Sequence, residues 1–457
     1  MKNPEDVIAY LNSFTDYERI GPENIKEEFN LAKLKDVLKR LGDPQNAYRS
    51  AHVAGTKGKG SISTFIASIL KESGYKVGLF TSPHLVSPHE RISINGKNIN
   101  NEDLAEVLRV LKDHLAPAPE KNFTFFEIFT LAAILFFNME KVDFAVFEVG
   151  LGGRLDATNV INAEVSAISP ISYDHMQILG DTIEKIAAEK AAIIKPGSYC
   201  VVSPQQDSVL KIIEDRCSAV GVGLAVIGRE IKCDVREITR SGNYFDIHGQ
   251  EGLYDNCQTS LIGAFQMTNA AVGVGACEKL LKGNIDAAKI KTGIEKAFIP
   301  GRMEIIAEHP IFIIDGAQNA SSARKLRLSI ERIFRYDKLV LLLGTSRDKD
   351  IVNICKELGT ATDVVITTKS KNSRAADPNI LKGFFKGREV ISTYDAKEAL
   401  GLAWKSAKKN DLILATGSFY LIGEIREMVL GASKDRQQTI DHRLRTSSRY
   451  DGRETNF

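Results

Sequence analysis

A glycine-rich turn, Val53-Ala54-Gly55-Thr56-Lys57-Gly58-Lys59-Gly60-Ser61, lies between an apolar lead-in and a helix-like run over Ile62–Leu70. Glycines let a backbone approach anionic oxygens closely, the N–H groups that open a helix point at them, and a lysine adds full charge. That is phosphate-binding chemistry. The order departs from the usual G-x-x-x-x-G-K-[ST], because Gly60 stands between Lys59 and Ser61. A Gly/Lys-rich surface turn is the plain alternative.

Three further loops carry reactive residue types. The run Glu148-Val149-Gly150-Leu151-Gly152-Gly153-Arg154-Leu155-Asp156-Ala157-Thr158-Asn159 follows an apolar strand. A carboxylate at a strand end is costly unless it is paired or holds a cation. Beside a phosphate loop, Glu148 suits a magnesium ligand; the alternative is a salt bridge with Arg154. The string Ser169-Pro170-Ile171-Ser172-Tyr173-Asp174-His175 places an Asp-His pair past another strand, where His175 is a ligand or a structural histidine. Ser82, in Thr81-Ser82-Pro83-His84-Leu85, offers a hydroxyl of the hard-oxygen kind that Mg²⁺ prefers.

The elements that must hold these loops are legible as short apolar segments alternating with helix-period ones. The candidate strands are Ser50–Val53, Val77–Phe80, Val142–Val149, Val165–Ile168, Ser198–Val202, Phe312–Ile314, Leu339–Leu343, Asp363–Thr367 and Leu412–Ala415. The alternation predicts an α/β fold with mostly parallel sheets and functional loops at strand carboxyl ends. Residues 222–260 read as a small antiparallel excursion, and Ile299-Pro300-Gly301-Arg302 as a hinge between two α/β units. The Arg-, Asp-, Ser- and Thr-rich stretch 433–457 reads as a disordered tail. A chain of 457 residues with net charge +2 carries no strong field towards nucleic acid or membrane. The N-terminus has no apolar leader, the apolar run Ile128–Phe137 is too short to span a bilayer, and six scattered cysteines fit a reducing cytoplasm.

The ordered strings resemble the folylpolyglutamate synthase/dihydrofolate synthase family within the Mur ligase superfamily. They are His52–Ser61, Thr81–Leu85 with Glu90-Arg91-Ile92, Phe126–Thr130, Glu148–Asn159, Asp174-His175 with Leu179-Gly180, Glu189-Lys190-Ala191 with Ile194, Asn269-Ala270, Pro300-Gly301-Arg302 and Asp348-Lys349-Asp350. The resemblance runs from about residue 5 to about residue 430. It implies a P-loop ATPase domain that also binds folate (1–298), then a smaller α/β glutamate ligase domain (299–432). It implies ATP-dependent amide formation: a folate or dihydropteroate carboxylate takes the γ-phosphoryl group, and the amine of L-glutamate displaces phosphate. It further implies ATP, two magnesium ions, small-molecule substrates, a cytoplasmic monomer, and no nucleic-acid or membrane partner.

Carried over by position, Gly55, Thr56, Gly58, Lys59, Gly60 and Ser61 would cradle phosphates, and Ser82, Glu148 and His175 would hold magnesium. Lys59, His175 and Lys190 would serve catalysis, Lys190 as an N6-carboxylated lysine; a helix-surface lysine is the reading without the resemblance. Asn269, Arg302 and Asp315 would meet the nucleotide. Thr124, Phe125, Phe126, Glu127, Arg154 and Ser418 would meet the substrates, although the phenylalanines alone read as core. Two positions depart from the family pattern: Lys57 replaces an asparagine, and Gln318 replaces a histidine in Asp315-Gly316-Ala317-Gln318-Asn319. Gln318 retains hydrogen bonding but not acid–base chemistry. Hence two alternatives stand beside the leading one: a cell-wall Mur ligase, and an ATP-binding module that has lost catalysis.

Overall fold

The computed structural model describes residues 4–20, 30–115 and 123–431; the expected tail at 433–457 lies outside them. The chain forms two compact units that part between Ile299 and Pro300. In the first, eight strands make one sheet: β1 (Arg49–Ala54), β2 (Val77–Phe80), β3 (Ile92–Ile94), β4 (Lys97–Asn98), β5 (Phe144–Glu148), β6 (Val165–Ile168), β7 (Tyr199–Val202) and β8 (Leu224–Val226). Their order is β4-β3-β2-β5-β1-β6-β7-β8, parallel except where β3 pairs with β2 and β4. The central strands are buried along their length, as a parallel sheet covered on both faces requires. One face packs on the Phe-rich helix Phe125–Met139, and the other on the helix Lys59–Glu72 with Phe265–Leu281. The apolar run read as too short for a membrane is thus a buried helix. Among the described residues no helix is long and apolar enough to cross a membrane.

The antiparallel excursion is a three-stranded sheet of β9 (Lys232–Thr239), β10 (Gly242–His248) and β11 (Leu253–Thr259). The second unit is a six-stranded sheet of β12 (Glu304–Glu308), β13 (Ile311–Asp315), β14 (Leu339–Leu343), β15 (Val364–Thr367), β16 (Glu389–Ser392) and β17 (Leu412–Thr416). Its order is β12-β13-β17-β14-β15-β16, with only β12 antiparallel. In both units the parallel strands align their carboxyl ends, and the loops carrying reactive residues gather there.

Candidate active site

The phosphate loop is built by conformation and by close approach. After β1 the chain turns through Gly55 (φ 138°) and Gly58 (φ 99°) into the helix Lys59–Glu72. A Cβ at Gly55 would lie 1.8 Å from Ser169 Oγ, and one at Gly58 2.8 Å from Asn269 Oδ1, so neither position admits a side chain as built. Thr56 ties this loop to the one after β6. Its N–H donates to Pro170 O at 3.0 Å; its Oγ1 donates to Ser172 O and accepts from Ser172 N, both at 3.1 Å. Lys57 Nζ pairs with Asp174 Oδ2 at 3.2 Å. The charge that departs from the family pattern therefore has a carboxylate beside it. Asn269 is buried on the helix Phe265–Leu281, with its Nδ2 donating to Gln266 Oε1 at 3.0 Å.

Glu148 closes β5, buried, and its Oε2 accepts the N–H of Ser82 at 3.1 Å. A Cβ at Gly60 would sit 3.4 Å from the same oxygen. Ser82, Glu148 and the opening turn of the phosphate-loop helix therefore converge. Hydroxyl and carboxylate oxygens fit Mg²⁺, which characteristically completes its octahedral shell with phosphate oxygens and water. Among the described residues no three His, Cys, Asp or Glu side chains gather as a metal site of their own. His175 adopts a left-handed conformation (φ 51°) at the cap of Met176–Leu179, with Nε2 3.7 Å from Asp174 Oδ1.

Two alternatives from the sequence are corrected. Lys190 is not a surface lysine: it lies in the last turn of the helix Ile183–Ala191, buried at 4% exposure, and Nζ donates to Gly55 O at 2.9 Å. Burial, reinforced by the charge of Lys59, lowers its pKa to about 7. Arg154 does not pair with Glu148; its Nε donates to Glu189 Oε1 at 2.8 Å. Asp156 was not singled out as a site residue from the sequence, yet it is buried between the Leu151 N–H and the Thr158 N–H and hydroxyl. Burial raises its pKa, and the charge of Lys59 opposes that rise. Its place in the Glu148–Asn159 run was the only signal available. Behind Thr158 stands buried His52, whose Nε2 lies 2.7 Å from Thr158 Oγ1.

The positions matched to the pterin-bearing substrate divide. Thr124 and Glu127 form a reciprocal capping box: Thr124 Oγ1 accepts from Glu127 N at 3.1 Å, and Glu127 Oε2 accepts from Thr124 N at 2.8 Å. Glu127 also pairs with Lys33 at 2.9 Å, and Phe125 packs in the core against Phe129 with the rings tilted at 41°. Phe126 alone reaches the site loop, where a Cβ at Gly150 would lie 2.5 Å from its ring.

In the second unit, Asp315 ends β13 and accepts the N–H groups of Met303 at 2.9 Å and Ala317 at 2.8 Å. Burial raises its pKa against the charge of Arg302, and the Arg302 guanidinium lies 4.5 Å over the Phe419 ring. Gln318 precedes Asn319, which caps the helix Ala320–Ile333. Ser418 is buried just past β17. The sequence reading missed three neighbouring polar groups. Thr345 Oγ1, Thr368 Oγ1 and Arg374 Nε are buried with no hydrogen-bond partner among the described residues. The two threonines follow β14 and β15; their signal was position immediately after a legible strand.

A phosphate loop at the edge of a parallel sheet, followed by a second α/β unit, defines a Mur-ligase-type ATPase. Residues 53–277 match the Mur ligase middle domain, and residues 301–419 match the Mur ligase glutamate ligase domain. The dihydrofolate synthase/folylpolyglutamate synthase of Bacillus subtilis (strain 168) is 36% identical over 408 residues, covering 87% of this chain and 94% of that protein. The structure of Mycobacterium tuberculosis folylpolyglutamate synthase with ADP and AMPPCP superposes with a TM-score of 0.83 at 30% identity, over 93% of this chain and 99% of that one. E. coli FolC in complex with DHPP and ADP gives 0.82 at 27% identity, over 93% and 98%. The chain belongs to the dihydrofolate synthase/folylpolyglutamate synthase family of Mur ligases.

Proposed function

We propose that this ATP-dependent glutamate ligase activates the carboxylate of a folate, and equally of dihydropteroate, as an acyl phosphate that the amine of L-glutamate then displaces. The observation that carries the reading is the convergence of Lys59, Lys190, Glu148 and Ser82 around one phosphate loop. A carboxylate is a poor acyl donor, and phosphorylation supplies its leaving group. Gly58, Lys59, Gly60 and Ser61 hold the phosphates through N–H groups and one ammonium. Ser82 and Glu148, with His175, would hold Mg²⁺, which when bound neutralises charge on the transferring phosphoryl group. With its pKa near 7, Lys190 reaches the neutral amine at physiological pH, the form that adds CO₂ to give a carbamate. Such a group would supply two further oxygens near the phosphates. Asp156 balances Lys59 from the rear of the site.

Within the second unit, we assign Ser418 with Thr345, Thr368 and Arg374 to L-glutamate. Buried donors without partners are costly in the free protein, and an amino acid's carboxylates would satisfy them. Asn269, buried in the first unit against Gly58, is assigned to the nucleotide. Phosphate release from MgATP is the test, measured with L-glutamate plus dihydropteroate, plus tetrahydrofolate, or plus no acceptor. Release with both acceptors is expected. Release with tetrahydrofolate alone would remove the dihydropteroate activity, and ATP binding with release by neither would favour a module disabled at Gln318.

A further inference from the structure

His52 occupies a position that stability alone would fill with an apolar side chain. It lies mid-strand in β1, in register with Phe147 on one side and Ser166 on the other, and is fully buried. Its Nδ1 has no hydrogen-bond partner among the described residues. Burial, reinforced by the charge of Lys195, lowers its pKa to about 3, so the ring is neutral and carries one hydrogen. A buried polar atom left unpaired is costly and needs a reason. The other ring nitrogen supplies one. Nε2 lies 2.7 Å from Thr158 Oγ1, and the Thr158 hydroxyl donates in turn to Asp156 Oδ1. Asp156 Oδ1 also accepts Thr158 N at 3.0 Å, and its Oδ2 accepts Leu151 N at 2.8 Å. Three donors suit an ionised carboxylate, which only accepts. The single hydroxyl hydrogen of Thr158 goes to Asp156, so Thr158 Oγ1 accepts from His52 and the ring hydrogen sits on Nε2. The backbone of this turn is held independently, because Lys195 Nζ donates to Asn159 O at 2.7 Å and to Ile161 O at 2.6 Å. His52 therefore acts on the hydroxyl and not on the path of the loop. At the far end of the chain of bonds, Asp156 feels the charge of Lys59.

We propose that His52 is a positioning residue of the ligase, which through the Thr158 hydroxyl holds the Asp156 carboxylate in one orientation as the counter-charge to Lys59. This deepens the function proposed above and rests on it. His52 touches no substrate; its effect reaches the site only through Thr158 and Asp156.

The experiment compares wild type with His52→Leu, His52→Gln, Thr158→Val and the double variant His52→Leu/Thr158→Val in the full chain. It measures kcat/KM for the acceptor with MgATP and L-glutamate, the thermal midpoint, and nitrogen NMR of isotope-labelled histidine rings, with His52 assigned by its loss in His52→Leu. His52→Leu and Thr158→Val are each expected to lower kcat/KM roughly three- to ten-fold, the weight of one hydrogen bond. The double variant should lose no more than the worse single one, because both break the same chain of bonds. His52→Gln, whose side-chain amide restores a donor, should recover most of the loss. The thermal midpoint of His52→Leu should equal or exceed that of wild type, since an unpartnered buried nitrogen is removed. The His52 ring should be neutral with its hydrogen on Nε2. Wild-type kcat/KM in His52→Leu, additive losses in the double variant, a hydrogen on Nδ1, or losses that simply track a falling midpoint would each overturn the proposal. Should His52→Leu fail to fold, Thr158→Val, His52→Gln and the ring tautomer carry the same test. Wild type that turns over neither acceptor would instead refute the function on which the proposal rests, and the ring tautomer would still decide the chain of bonds.

Discussion

The carboxyl edges of the two sheets are alike in backbone and opposite in chemistry. In the first unit the loops bring carboxylates against cationic groups: Asp156 with Lys59 and Lys190, Asp174 with Lys57, Glu189 with Arg154. Most of these charges are already balanced. In the second unit the edge carries hydroxyls, Thr345, Thr368 and Ser418, beside Arg374, whose guanidinium lies 3.9 Å from Asp348, and Thr345 Oγ1, Thr368 Oγ1 and Arg374 Nε lack hydrogen-bond partners among the described residues. One edge suits a large polyanion that arrives with a cation. The other suits a small acidic molecule that completes hydrogen bonds the protein leaves open. A doubly wound sheet fixes where a ligand binds; its loops decide which ligand.

The comparison breaks most sharply at Lys59. Lys59→Ala should cut turnover roughly 10²- to 10³-fold, the scale of losing one preorganised electrostatic group. Phosphate release at the wild-type rate would remove the phosphate-loop assignment. Lys190→Ala should be nearly as damaging but partly restored by short carboxylates added in solution. The sign of its pH dependence follows from a lowered pKa: below about 7 the ammonium dominates and has no lone pair for CO₂. Activity should therefore climb through pH 7, and added bicarbonate should help most on the acid side. A flat profile between pH 6 and 8 would exclude the carbamate.

On the other edge, Thr345→Val should raise KM for glutamate about ten-fold and leave KM for ATP unchanged. The same change removes an unpartnered buried hydroxyl, so thermal unfolding should show equal or greater stability. A lower midpoint with unaltered glutamate affinity would make Thr345 structural. Lys57→Asn should have the smallest effect, a change in KM for ATP of about three-fold or less, because the part-exposed pair with Asp174 carries modest energy. A much larger effect would place Lys57 on the phosphates.

Legibility followed burial. Val77–Phe80, Val165–Ile168 and Leu339–Leu343 were readable to the residue because strands covered on both faces are predominantly apolar runs. The edge strand Glu389–Ser392 and the short pair Ile92–Ile94 and Lys97–Asn98 were missed, since part-exposed strands and strands of two or three residues leave little pattern. Phe125 and Phe126 are adjacent in sequence, yet one faces the core and the other Gly150.

The sequence by itself determined the α/β class, the glycine-rich loop, the strand end that carries Glu148, the loop that carries His175, and the family. Each rests on local signals: glycine where φ is positive, apolar runs where a sheet is covered, and motifs in order. Only the tertiary structure decided that Lys190 is buried against Gly55, that Arg154 turns to Glu189 and not Glu148, and that Thr345 Oγ1, Thr368 Oγ1 and Arg374 Nε have no hydrogen-bond partner among the described residues. Those outcomes depend on desolvation and on pairings between residues far apart in the chain. No local pattern encodes them; they exist once the sheet brings its loops together.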